Sequence, residues 1–242
     1  MGTVVFLPGY LAPPAGFRAM AEGLPEYRAL EPPRMSRPEQ AFELWRSAVP
    51  EGAHIVAFAE AAWSAAGLAA EKKAQSLVLF SPIVRVDAAL EARLKPLQTA
   101  LKSGLETLTE AAKPWFFGPF LLEQGQAAIE AWGEGLAELD VAGWLEALHT
   151  LPDGRKNLRR LECPVLVVLG AEDVFTPLRY GQELVEWTPT NANGLGAVRV
   201  SLEGCGHLAA WENPEEAANL VEGFLEEAKG VRGNAPVWRE EG

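Results

Sequence analysis

Short β-branched runs alternate with longer Ala-, Leu- and Glu-rich segments along most of the 242-residue chain. This alternation is the strongest constraint on the fold, because strands separated by helices pair in parallel and need helices on both faces. Residues 3–7 read as a strand stopped by Pro8-Gly9, and 17–23 as a short helix. Residues 27–31 read as a second strand ending at Pro32-Pro33. The helix predicted over 37–48 has Pro38 near its start and an apolar stripe of Ala41, Leu44, Trp45 and Ala48. Strands over 54–58 and 76–80 flank an Ala-rich helix over 61–73. The pattern resumes with a strand over 164–169, a helix over 180–187 and a strand over 197–202. An amphipathic helix over 213–229 closes it, and the Gly-, Pro- and charge-rich tail beyond Lys229 is expected to fray.

Between Pro82 and about Arg160 the strand signal disappears. Residues 87–112, 121–136 and 141–149 read as helical, with Trp115-Phe116-Phe117 in a break. Residues 1–82 and 161–242 are therefore expected to form one α/β core, with 83–160 as an inserted helical lid. The lid aromatics, Trp115, Phe116, Phe117, Phe120, Trp132 and Trp144, should pack its interior and partly line an apolar pocket.

Hydrophobic residues make up 48% of the chain, enough for a sizeable core. Thirty-three acidic residues against 21 basic ones give a net charge of −12, which disfavours nucleic acid and anionic lipid as partners. No uncharged apolar run is long enough to span a bilayer, and the first residues lack a basic leader. The two cysteines, Cys163 and Cys205, have neither metal-knuckle nor disulfide-framework spacing. A soluble, reducing, cytoplasmic setting is expected. The excess of Arg over Lys and the scarcity of Met give the composition a thermophile-like cast.

Three segments stand out by their place after strands. The first is Phe6-Leu7-Pro8-Gly9-Tyr10-Leu11. The second is His54-Ile55-Val56-Ala57-Phe58-Ala59-Glu60-Ala61-Ala62-Trp63. The third pairs Leu169-Gly170-Ala171-Glu172-Asp173-Val174-Phe175-Thr176-Pro177 with Glu203-Gly204-Cys205-Gly206-His207. His149 and His54 look structural or exposed, and three scattered histidines do not suggest a metal site. No glycine motif has the order needed for a phosphate loop, so no cofactor is expected.

Taken in order, these segments resemble the α/β-hydrolase superfamily over nearly the whole chain, although the family's first two strands are absent. The resemblance implies a mostly parallel sheet of about six strands with helices on both faces and an inserted lid. It implies that backbone N–H groups near Gly9 and Tyr10 help bind an oxyanion, with Pro8 where the family usually has His. It further implies that Asp173 orients His207, which acts as general base. The nucleophile elbow breaks the pattern. Its serine position falls on Ala59, and the flanking glycines become Ala57, Ala61 and Ala62. A register slip would put Glu60 at the elbow as a carboxylate nucleophile; otherwise it lines the pocket or caps the following helix. Ser64, Ser81 and Cys205 read as ordinary pocket, helix or turn residues. Tyr10 and Phe58 should face the pocket from below.

Three functions remain open at this point. One is a diverged family member that binds a small apolar molecule or a partner without serine-hydrolase turnover. Another is a cofactor-free enzyme using Asp173 and His207 as a base. The third is an ester or carbon–carbon-bond hydrolase with a substitute nucleophile. Oligomeric state is not legible.

Overall fold

The computed structural model describes residues 2–12, 14–33, 35–190 and 196–230. The tail expected to fray lies outside these, apart from Gly230. In chain order the elements are β1 (Gly2–Leu7), α1 (Pro14–Glu22), β2 (Tyr27–Leu30), α2 (Pro38–Ala48), β3 (His54–Phe58), α3 (Ala61–Glu71) and β4 (Ser76–Phe80). Six helices follow: α4 (Ala88–Lys102), α5 (Leu105–Phe116), α6 (Pro119–Gln124), α7 (Gln126–Leu136), α8 (Val141–His149) and α9 (Arg155–Leu158). The chain then returns to β5 (Val165–Gly170), α10 (Leu178–Trp187), β6 (Ala197–Leu202), α11 (Ala209–Glu212) and α12 (Pro214–Gly230).

The six strands form one parallel sheet in the order β2-β1-β3-β4-β5-β6. Alternate side chains feed opposite faces, as the pleat requires. Val4, Phe6, Val56, Phe58, Val78 and Phe80 pack toward α12 and the helical block after β4. Val5, Leu7, Ile55, Ala57, Leu77 and Leu79 pack toward α2 and α3. The alanines of α3 let it lie close to the sheet, and both faces are dry. Winding reverses between β1 and β3, and the carboxyl ends of strands at such a reversal border a ligand crevice.

Several boundaries differ from the sequence expectation. The helix read over 87–112 is two, broken at Ser103-Gly104, and that read over 121–136 is split at Gly125. Trp115 and Phe116 do not lie in a break. Helix α5 runs through Pro114 to Phe116, whose complete burial outweighs the hydrogen bond that proline cannot donate. Phe120 does not pack the block's interior; it is 63% exposed on α6. No helix among the described residues is long and apolar enough to cross a membrane.

Candidate active site

Ala59 follows β3 directly and has φ +48, a left-handed conformation that costs energy for a residue with a Cβ. Three backbone hydrogen bonds hold it there: Ala59 N–H donates to Phe80, and its carbonyl accepts from Ala62 and Ile83. The sharp strand-to-helix turn is therefore built with a methyl group at its apex. Gly9 lies against it, since a Cβ on Gly9 would come within 3.3 Å of the Ala59 methyl.

Glu60 is the next residue and is 4% exposed. It makes no side-chain cap to α3, so the capping expectation does not hold. Instead its Oε1 accepts the backbone N–H of Tyr10 at 2.6 Å. Its Oε2 is buried, as is the indole Nε1 of Trp144 on α8, which lies near the same carboxyl. Burial pushes the Glu60 carboxyl above its ordinary pKa; hydrogen bonds from the Tyr10 and Glu60 N–H groups and from the Trp144 indole, and the charge of His207, oppose this less strongly.

Opposite stands His207, 4% exposed. Its Nδ1 lies 2.9 Å from Asp173 Oδ2 and 3.0 Å from Thr176 Oγ1. The carboxylate accepts, so Nδ1 carries a proton, and in the neutral imidazole Nε2 keeps its lone pair. Asp173 is itself fixed by the N–H groups of Phe175 and Thr176 and by the Thr176 hydroxyl, at 2.7–2.9 Å. The rings of Phe116 and Phe175 stand edge-on to the imidazole, with centroids 5.3 and 5.0 Å away, and keep water from it.

These groups meet at a cavity of about 30 Å³, lined by Phe58, Ala59, Glu60, Trp144 and His207 with apolar walls such as Leu208. Phe58 faces it as expected. The Tyr10 side chain does not: its hydroxyl accepts from the Asp140 N–H at 2.7 Å, and its backbone N–H reaches Glu60 beside the cavity. Neither Ser64 nor Ser81 is among the lining residues. Cys205 is buried, and burial raises its thiol to about 12, so it is protonated at neutral pH. His54 is also buried, 2.8 Å from Ser76, with burial lowering its pKa to about 4. Among the described residues no His, Cys, Asp or Glu cluster could hold a metal ion.

Sequence reading missed Thr176, Trp144's polar edge and Glu212. The last accepts from Gly118 N–H at 2.7 Å and from Gly206 N–H at 2.8 Å, joining the α5–α6 connection to the histidine loop. Burial raises the Glu212 carboxyl to about 7 despite these two donors. Because its folded value exceeds the unfolded one near 4.5, its stabilising contribution is complete below pH 4.5 and lost as pH rises through about 7. The urea midpoint should accordingly fall between pH 5 and pH 8. Glu212→Gln should flatten that fall, and an unchanged slope would refute the assignment.

No family model matches the chain. Over 132 residues it is 31% identical to 3-oxoadipate enol-lactonase 2 of Acinetobacter baylyi, a match covering 53% of this chain and 46% of that protein. A 75-residue stretch is 32% identical to 2-hydroxy-6-oxononadienedioate/2-hydroxy-6-oxononatrienedioate hydrolase 2 of Pseudomonas putida, covering 31% of this chain and 24% of that one. The matches thus span less than half the length of these curated relatives. Among solved structures, a thermophilic esterase from Thermogutta terrifontis superposes with a TM-score of 0.76 at 17% identity, over 94% of this chain and 90% of that one. The enol-lactonase from Burkholderia xenovorans LB400 gives 0.76 at 18% identity, over 93% and 91%. At such identities the likeness is one of fold alone.

Proposed function

We propose that this chain, which has the α/β-hydrolase fold, is a diverged member of that superfamily and binds a small, largely apolar molecule without serine-hydrolase turnover. The helical block α4–α9 (83–160 in the sequence division) acts as the lid over the cavity. The observation that carries this reading is the 2.6 Å hydrogen bond from Tyr10 N–H to Glu60 Oε1. Acyl transfer needs that N–H free for a developing oxyanion, and a carboxyl oxygen of the protein itself already holds it. The apex beside it offers a methyl group, which cannot attack a carbonyl. Glu60 stands one residue past the apex, in right-handed helical conformation, so it lacks the elbow geometry of a carboxylate nucleophile.

The ligand class follows from the walls, which are mostly aliphatic and aromatic. A net charge of −12 keeps nucleic acid and anionic membranes out of the reading. The free, buried cysteines suit a reducing cytoplasm. A panel of short-chain nitrophenyl esters tests the proposal. Turnover by the natural protein should not exceed that of His207→Ala, and turnover that depends on His207 would overturn it.

A second reading, in which Asp173 and His207 work as a base without a covalent intermediate, is favoured by one observation. Asp173 and Thr176 hold only Nδ1 of the imidazole, and the ring borders the cavity.

A further inference from the structure

We propose that a second cavity, on the opposite side of the sheet from the one bordered by His207, binds a small aromatic carboxylate. This goes beyond the reading above and does not rest on it.

The second cavity has a volume of about 150 Å³ and lies where α3 meets α2 and α9. Those helices send Trp45, Ala65 and Leu158 into the layer under Val5, Ile55 and Leu77, whereas Phe58 and Phe80 serve the other face. Phe42 and Trp63, both half-buried, form an apolar wall, with their rings edge to face and centroids 6.4 Å apart. The Trp63 ring is fixed, since its indole N–H donates to the Pro152 carbonyl at 2.8 Å. Gly67 is the floor. A Cβ there would lie 2.7 Å from the Phe42 ring and 3.3 Å from the carboxamide nitrogen of Asn157, so the bare Cα admits both.

The polar side of the cavity is unsatisfied. Asn157 is 8% exposed, yet its carboxamide hydrogen-bonds to no described residue. A buried amide in that state is costly unless something in the cavity pairs with it. Lys156 and Arg160 stand on the rim, and neither has an ion-pair partner among the described residues. They are four positions apart, a spacing at which like charges on a helical turn repel. Neighbouring Arg155 is already held by Asp153. Glu71, the acidic residue lining the cavity, is neutralised by Arg46 at 2.6 Å. In a chain of net charge −12, two unopposed cations beside a cavity run against the rest of the surface, and an anion is drawn there.

The two sides together select the ligand. A carboxylate accepts from the Arg160 guanidinium, the Lys156 ammonium and the Asn157 amide. An amine would be repelled by the rim and would meet only a carboxylate that Arg46 already holds. Inorganic phosphate would satisfy the rim and leave the Phe42–Trp63 wall bare. A flat ring covers that wall, and apolar cavities of about 150 Å³ admit benzene. Benzoate carries both the ring and the charge.

Benzoate is therefore the probe. It is titrated into isotope-labelled protein while heteronuclear NMR follows the Trp63 indole signal, assigned by its loss in Trp63→Phe. That signal should shift and saturate with a Kd below ~1 mM. Lys156 and Arg160 are exposed, so a Lys156→Gln, Arg160→Gln double variant stays folded; it should bind benzoate ~10-fold or more weakly. Asn157→Leu should weaken binding ~5-fold or more. Neutral benzamide should bind ~10-fold or more weakly than benzoate. A Trp63 signal that does not saturate in that range overturns the site, as does a shift at Trp144 without one at Trp63. Benzamide as tight as benzoate, or a double variant as tight as the natural protein, overturns the anion assignment. Inorganic phosphate that displaces benzoate at equal concentration overturns the aromatic class.

Discussion

An Ala59→Ser, Glu60→Ala double variant should hydrolyse p-nitrophenyl acetate at least ~100-fold faster than the natural protein. The backbone turn and an oriented histidine, two elements that acyl transfer needs, are already in place. The apex retains its left-handed backbone, φ +48, and is held by Phe80, Ala62 and Ile83. The histidine is oriented, since His207 Nδ1 is 2.9 Å from Asp173. Serine at 59 supplies the attacking oxygen, and truncation of Glu60 releases the Tyr10 N–H and removes a carboxyl from where negative charge would develop. One oxyanion donor is worth roughly 100- to 1,000-fold in rate, which sets the expected gain. Ala59→Ser alone should stay within ~10-fold of the natural protein, because Glu60 still holds that N–H. A folded double variant no faster than the single one would show that Glu60 is not what closes the site to acyl transfer.

Gly170→Ala should cost at least ~3 kcal/mol, seen as a large fall in the urea midpoint. A methyl at Gly170 would overlap the carbonyl oxygens of Gly206 and Cys205, both main-chain atoms of the histidine loop. A methyl at Gly206 would in turn lie 2.6 Å from the nitrogen of Gly118, so the loop cannot retreat without pushing on the α5–α6 connection. Flexible side chains can yield to such an intrusion, but stacked backbones cannot. Gly135→Ala is the control. It sits in α7 with nothing within 4 Å of a new Cβ, and should be neutral or stabilise by up to about 1 kcal/mol. A Gly170→Ala protein as stable as that control would refute the packing argument.

The sheet was legible because each strand is a short β-branched run bounded by turn residues, a local signal. The breaks at Ser103-Gly104 and Gly125 were not, since Ala- and Leu-rich helices on either side share one composition. Asp173 and His207 were legible for a similar reason: each lies in a loop directly after a strand, flanked by small residues. Ala59 could be placed by the strand and helix that bracket it. Partners that meet only in three dimensions escaped. Tyr10 looked like a pocket residue, yet its hydroxyl bonds to Asp140, 130 positions away. Trp144 read as one lid aromatic among six, and the action of its indole on the Glu60 carboxyl is visible only once the chain has folded. Thr176 had a readable cue, a hydroxyl three residues after Asp173, which is the spacing of a side-chain-to-backbone turn.

Glu212 fastens Gly118 to Gly206, and the stacked glycines reinforce that junction. Elsewhere the helical block is held to the loop after β1 by two hydrogen bonds, Trp132 Nε1–H to Leu11 and Asp140 N–H to Tyr10 Oη. If the block is the lid proposed above, the first attachment would be its hinge and the second its latch. Opening should therefore swing α7 and α8 outward while the end of α5, with Phe116, stays beside His207. The imidazole keeps its aromatic shield throughout, whereas Trp144 travels with the moving door. The Asp140 contact and the N–H that anchors Glu60 belong to the same residue, Tyr10, so release of that contact would bear directly on the residue that seats Glu60.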